Sequence, residues 1–97
     1  MSESDLIKKI KKYLGSLDGC FYWKEHGGQY GTAGIPDIIC CYKGQFVAFE
    51  AKVGKNKATK LQEATIAQIH KAGGTAAVIR SIDEVKAVIA QIEKAVK

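Results

Sequence analysis

No stretch of this 97-residue chain approaches the ~20 consecutive apolar residues that cross a bilayer. Its start, Met1-Ser2-Glu3-Ser4-Asp5, is acidic and polar, so no secretory leader is expected. Cysteine is scarce: Cys20, Cys40 and Cys41 make an odd number, two are adjacent, and there is no Cys-x-x-Cys. That pattern excludes a disulfide framework and points to a reducing cytoplasm. Histidine is scarcer still. Neither His26 nor His70 lies at ligand spacing from a cysteine pair, which argues against zinc. The glycine-rich stretch has no Gly-Lys-Ser/Thr ending, and a strand follows it where a dinucleotide site needs a helix. No nucleotide cofactor is therefore expected. Internal repeats, low-complexity segments and linkers are also missing, so residues 1–97 read as one domain with a small core.

The hydrophobic fraction is 46% and the net charge is +5, with a pI of about 9.2. This is the composition of a soluble globular chain, tilted modestly toward a polyanionic partner.

The stretch that organises the chain runs from Gly34 to Lys52. Two runs of β-branched and aromatic residues, Ile38-Ile39-Cys40-Cys41-Tyr42 and Gln45-Phe46-Val47-Ala48-Phe49-Glu50-Ala51-Lys52, flank Lys43-Gly44. The pattern predicts a hairpin with a two-residue loop. Tyr42 then pairs with Gln45, and counting outward sets Asp37 opposite Glu50. Such partners have Cβ atoms roughly 4.5–5.5 Å apart. Period-two alternation puts Lys52 on the Glu50 face. Like charges opposite each other repel, and a divalent cation between them converts the repulsion into ligation. Hard oxygen ligands suit Mg²⁺ or Mn²⁺. A three-residue loop would slip the register and separate the two acids.

Helical spacing of Leu6, Ile10, Tyr13, Leu14 and Leu17 predicts a first helix from Ser2 to about Leu17. Its wet face carries Lys8, Lys9, Lys11 and Lys12, either as solvated charge or as phosphate contacts. Glu3 continues the buried stripe. It reads either as a first-turn acid complementing the helix dipole or as a metal contact. Cys20 to Glu25 is a strand. The glycine-rich segment from His26 to Gly34 reads as substrate-facing, with His26 and Tyr30 available to a sugar–phosphate backbone. Lys55, Lys57 and Lys60 leave the end of the second hairpin strand, where lysines can hold phosphates. Thr59 to Ala72 is a second helix. Gln62 is either the partner in a capping box with Thr59 or an inward-facing residue aimed at the carboxylates. His70, in its last turn, reads as structural. Thr75 to Arg80 is a strand parallel to Gln45–Lys52. Ser81 to Glu84 is a second capping box opening a last helix. The order α-β-β-β-α-β-α predicts a mixed α/β fold, a four-stranded mixed sheet flanked by helices.

Pro36-Asp37 followed by Glu50-Ala51-Lys52 resembles the PD-(D/E)XK nuclease signature. The wider pattern is similar to the VRR-NUC branch, particularly its small stand-alone phage-type members. It comprises Gly27-Gly28, Gly31, Gly34-Ile35-Pro36-Asp37, the Glu-x-Lys strand, Thr59 with Gln62, and Ala72-Gly73-Gly74, and so spans essentially the whole chain. Ala51 departs from it, where a larger β-branched residue is common, and so does Gly54, where a proline often follows. The resemblance implies a restriction-endonuclease-like core and a Mg²⁺- or Mn²⁺-dependent DNA endonuclease. Asp37, Glu50 and the Ala51 backbone carbonyl would be metal ligands and Glu3 an additional one. Lys52 would stand beside the attacking water, and Gln62 would orient water or phosphate. It further implies a homodimer acting on branched or Holliday-junction DNA, in a bacterial or phage-infected cytoplasm. The competing readings are a non-catalytic nucleic-acid-binding module, or a nuclease subunit of a larger repair or restriction complex.

Overall fold

The computed structural model describes residues 1–26 and 33–96. The elements in chain order are α1 (Glu3–Gly15), β1 (Cys20–Lys24), β2 (Ile38–Tyr42), β3 (Gln45–Ala51), α2 (Lys60–Lys71), β4 (Thr75–Ile79) and α3 (Ile82–Ala95). The strands form one sheet in the order β1-β2-β3-β4. The first two pairings are antiparallel and β3–β4 is parallel. This is the mixed α/β arrangement that periodicity predicts.

The hairpin turn explains the register. Lys43 and Gly44 have φ of 50° and 83°, the left-handed pair that a two-residue turn needs to match the twist of its strands. Glycine adopts this freely, and lysine does so at a cost on the order of 1 kcal/mol. The Lys43 N–H donates to the Gly19 carbonyl at 2.8 Å, which fixes the turn. Tyr42 pairs with Gln45 and Ile38 with Phe49.

Alternation divides the sheet into two faces. One is covered by α1 and α3. There Leu6, Ile10 and Leu14 meet Val85, Ile89 and Ile92 over Ile38, Cys40, Val47, Phe49 and Ile79. The other holds a smaller cluster, Ile39, Ala48 and Ala76, with Ile35, Ile66 and Ile69 against it. α2 covers only part of this second face and buries no residue completely. Phe21, Trp23 and Phe46 remain exposed there.

Two details differ from expectation. α1 ends at Gly15, and Ser16 and Leu17 continue it only through tighter i→i−3 bonds to Tyr13 and Leu14. Glu84 forms only half of a capping box. Its N–H donates to Ser81 Oγ, but its carboxylate accepts from that same hydroxyl rather than from the backbone. His70 is structural, as expected: its Nε2 lies 2.7 Å from the Ala76 carbonyl and ties α2 to β4.

Candidate active site

Glu50 is the only buried charged side chain among the described residues, at 2% exposure. β3 carries it there because the strand around it is a continuous apolar run, Val47-Ala48-Phe49 before and Ala51 after. Lys52 Nζ lies 3.3 Å from Glu50 Oε2, and Gln62 Nε2 donates to the same oxygen at 3.1 Å. Oε1 is buried and has no partner among the described residues. A buried polar atom left without a partner costs about 1–3 kcal/mol, more when charged. Burial, then repulsion from Asp37, pushes the Glu50 carboxyl up to about 7, with Lys52 pulling in the opposite direction.

Asp37 reaches the same place by a different route. The β2 ladder stops at Ile38, and Asp37 occupies the bend before it. Its carboxylate nonetheless converges with that of Glu50, as the hairpin count predicts. It turns along the ladder, and Oδ2 accepts the Ala51 N–H at 2.8 Å. The Asp37 carbonyl is pinned by the Glu25 N–H at 2.7 Å. The loop leading into it runs under α2. Gly34 has φ of 85°, and a Cβ there would fall 2.8 Å from Leu61 and Thr65 side-chain atoms. Within a strand, a residue's N–H and C=O point to the same edge. The Ala51 carbonyl therefore faces the side on which Asp37 sits.

Glu3, the first residue of α1, completes the cluster. Ligand-type oxygens of Glu3, Asp37 and Glu50 all lie within 4.8 Å of one another. Three carboxylates this close destabilise one another unless cations are shared among them. Asp37 Oδ1 is 4.0 Å from Lys24 Nζ, so Lys24 and Lys52 approach the acids from different strands. Oxygen donors, one of them orphaned and buried, fit a hard divalent cation.

Both expectations for Gln62 hold at once in the geometry. Its Oε1 accepts the Thr59 N–H at 2.9 Å, and Thr59 Oγ1 accepts the Gln62 N–H at 3.1 Å. The remaining amide N–H₂ points at Glu50. The capping box thus orients the side chain that meets the carboxylate.

The other residues singled out in the sequence are spread around this centre. Lys55, Lys57 and Lys60 are exposed on the connector and the start of α2, and His26 is exposed. Tyr30 and the glycines at 27, 28 and 31 lie outside the described residues. Sequence reasoning missed Lys24 and Arg80. Lys24 lines a cleft of about 450 Å³ with Glu3, Ser4, Lys8, Lys11 and Asp37. Arg80 spans the connector, with Nη1 donating to the Gly54 carbonyl at 3.2 Å and Nη2 to that of Asn56 at 2.6 Å. Strand alternation set Lys24 apart from its apolar neighbours. No local signal marked Arg80.

Glu50 gives this site a pH signature. In the metal-free protein only the folded state holds the Glu50 proton between its ordinary 4.5 and about 7. Its contribution to stability is full below that window and is lost as pH rises through it. The difference in melting temperature between wild type and Glu50→Gln, followed from pH 4.5 to 8 in EDTA, should shift against the wild type by at least ~4 °C. A pH-independent difference would mean that Glu50 titrates normally.

No family model matches the sequence, and no curated protein does. Solved structures do match. One described as "VRR_NUC domain" superposes with a TM-score of 0.74 at 23% identity, covering 91% of this chain and 94% of the other. A "VRR_NUC domain protein" superposes with a TM-score of 0.68 at 23% identity, over 94% and 87%. At that identity the likeness establishes the fold alone: the chain has the architecture of VRR_NUC domain structures.

Proposed function

We propose that this chain is a divalent-metal-dependent DNA endonuclease that hydrolyses phosphodiester bonds. The observation that carries the proposal is the partnerless, buried Oε1 of Glu50 inside a three-carboxylate cluster. A chain selected only for stability gains nothing from that atom, and a cation ligand does. No helix among the described residues is long and apolar enough to cross a membrane, and the three free thiols suit the reducing cytoplasm of a bacterial or phage-infected cell.

Asp37, Glu50 and the Ala51 carbonyl would hold Mg²⁺ or Mn²⁺, with Glu3 as a further ligand. The bound ion would supply positive charge to the scissile phosphate and acidity to a water. Lys52, held against Glu50, keeps an ammonium where negative charge develops in the transition state. Gln62 fixes the Glu50 carboxylate and presents an amide to the water or phosphate beside it. Lys24, Lys8 and Lys11 line the adjoining cleft and meet backbone phosphates there, as do Lys55, Lys57 and Lys60 on the connector braced by Arg80. His26 and Tyr30 are assigned to the same backbone.

The preferred substrate is branched DNA of the Holliday type, bound by a homodimer. Two copies place two cleavage centres at a fixed separation, which a junction requires. The exposed Phe21, Trp23 and Phe46 supply an apolar face for the second copy, beside a hollow of about 370 Å³ lined by Ile35, Pro36, Ile39 and Ile69. A binding module without catalysis, alone or within a larger complex, has no use for a buried carboxylate with a free oxygen.

Cleavage of labelled four-way junction, flap and linear duplex in Mg²⁺, Mn²⁺ and EDTA, alongside sedimentation, tests the whole reading. Metal-dependent symmetric cutting of the junction by a dimer is expected. Cutting in EDTA removes the metal. Monomers at micromolar concentration that cut all three substrates alike remove junction specificity.

A further inference from the structure

The cleft beside the acids is not the only basic hollow on α1. Lys9 and Lys12 line a different hollow from Lys8 and Lys11: with Lys86 of α3 they border a second one of about 340 Å³. Tyr13, Ser16 and Ile82 complete its lining. Lys86 Nζ stands 5.5 Å from the centroid of the Tyr13 ring, a cation–π contact that holds the ammonium over the hollow. No acidic residue lines it. Among the described residues, the only ion pairs are Lys24 with Asp37 and Lys52 with Glu50. The nearby Glu93 carboxylate accepts the Tyr42 hydroxyl at 3.0 Å. Three unpaired ammonium groups from two helices therefore converge on one concave, aromatic-lined site, an arrangement that is unfavourable until an anion joins it.

We infer that this hollow is a second phosphodiester-backbone site, separate from the strand held at the carboxylates. The inference rests on the DNA reading above and deepens it. At 3.6 residues per turn the Lys9–Lys12 pair lies roughly 100° around α1 from the Lys8–Lys11 pair, so the two hollows open on adjacent sides of a helix about 10–12 Å across with its side chains. A B-DNA major groove is about 12 Å wide. Lysines on two adjacent sides of α1 can therefore meet two backbones that a single row could not reach. The second backbone belongs either to the complementary strand of the same duplex or to another arm of a branched substrate. Both offer the same phosphodiester chemistry.

The test measures affinity against salt, in EDTA so that no cutting intervenes, for linear duplex and for a four-way junction. The variant is Lys9→Gln/Lys12→Gln/Lys86→Gln. The control, Lys43→Gln/Lys71→Gln/Lys94→Gln, removes the same charge from exposed lysines elsewhere. Each lost phosphate contact lowers the slope of log K against log salt by about 0.9. The hollow variant should lose roughly 2–3 from the slope, and the control little. Loss on both substrates identifies the complementary strand, and loss on the junction alone identifies a second arm. Equal slopes for variant and control on both substrates overturn the site, as does a wild type that binds neither DNA. A wild type that binds with the expected slope loss but never cuts would keep this site and remove the nuclease proposal. Melting temperatures of both variants within a few degrees of wild type confirm that the comparison is made on folded protein.

Discussion

Glu50→Gln is expected to lower phosphodiester cleavage by at least ~10³-fold while leaving the fold as stable as before, or more so above pH 7. The loss of activity follows from removing a charged ligand that nothing else replaces, an effect of roughly 4 kcal/mol on the barrier. The stability result follows from burial. Glu50 is nearly inaccessible, and burial with Asp37 beside it opposes its ionisation. Glutamine has the same shape, can still accept from Gln62 Nε2, and carries no charge to desolvate. Asp37 and Glu3 remain in the cluster. A residue serving only the fold would behave the other way, because breaking a buried ion pair without other partners is strongly destabilising. Thermal melts and single-turnover cleavage on the same preparation separate the two outcomes. A variant that is destabilised yet active would place Glu50 in the core and not in the chemistry.

Lys52→Ala is the second large effect. It should cost about 10²–10³-fold in kcat with KM little changed, since the half-buried Lys52 is held against Glu50 at 3.3 Å. It should also move the pH profile. Lys52 pulls the Glu50 carboxyl down, so without it Glu50 holds its proton to higher pH. Protons then compete longer for the metal ligands, and the rising limb of activity shifts toward alkaline pH. Lys52→Arg should not restore the rate, because a planar fork cannot occupy a position fitted to a compact ammonium. Loss of rate with an unmoved pH limb would show that Lys52 acts apart from Glu50.

The centre of the site was legible because it is local. Asp37, Glu50 and Lys52 are joined by one hairpin, and counting from Lys43-Gly44 reaches the register found. Counting also brings the Asp37 and Glu50 carboxylates together, as found, but it does not reveal the backbone partner of Asp37. Asp37 stands in the bend before Ile38, and its carboxylate also accepts the Ala51 N–H. Backbone direction at a strand end depends on what precedes it, here a proline and a loop packed beneath α2, and periodicity carries none of that. Glu3 and Gln62 were open between two meanings. Gln62 satisfies both because an amide has separate donor and acceptor ends. Contacts between elements distant in the chain were the least legible. Arg80 grips carbonyls 24 and 26 residues away, and Lys86 joins α1 through Tyr13. Nothing in the spacing of either lysine or arginine signals a partner so far along the chain.

The most direct measurement is an anomalous difference map from a crystal of this protein soaked in Mn²⁺. The expected map has a peak within roughly 2 Å of carboxylate oxygens of both Asp37 and Glu50, with the Ala51 carbonyl also coordinating, and loses it in Glu50→Gln. A well-ordered map with these side chains visible and no peak among them would contradict a metal-dependent centre here.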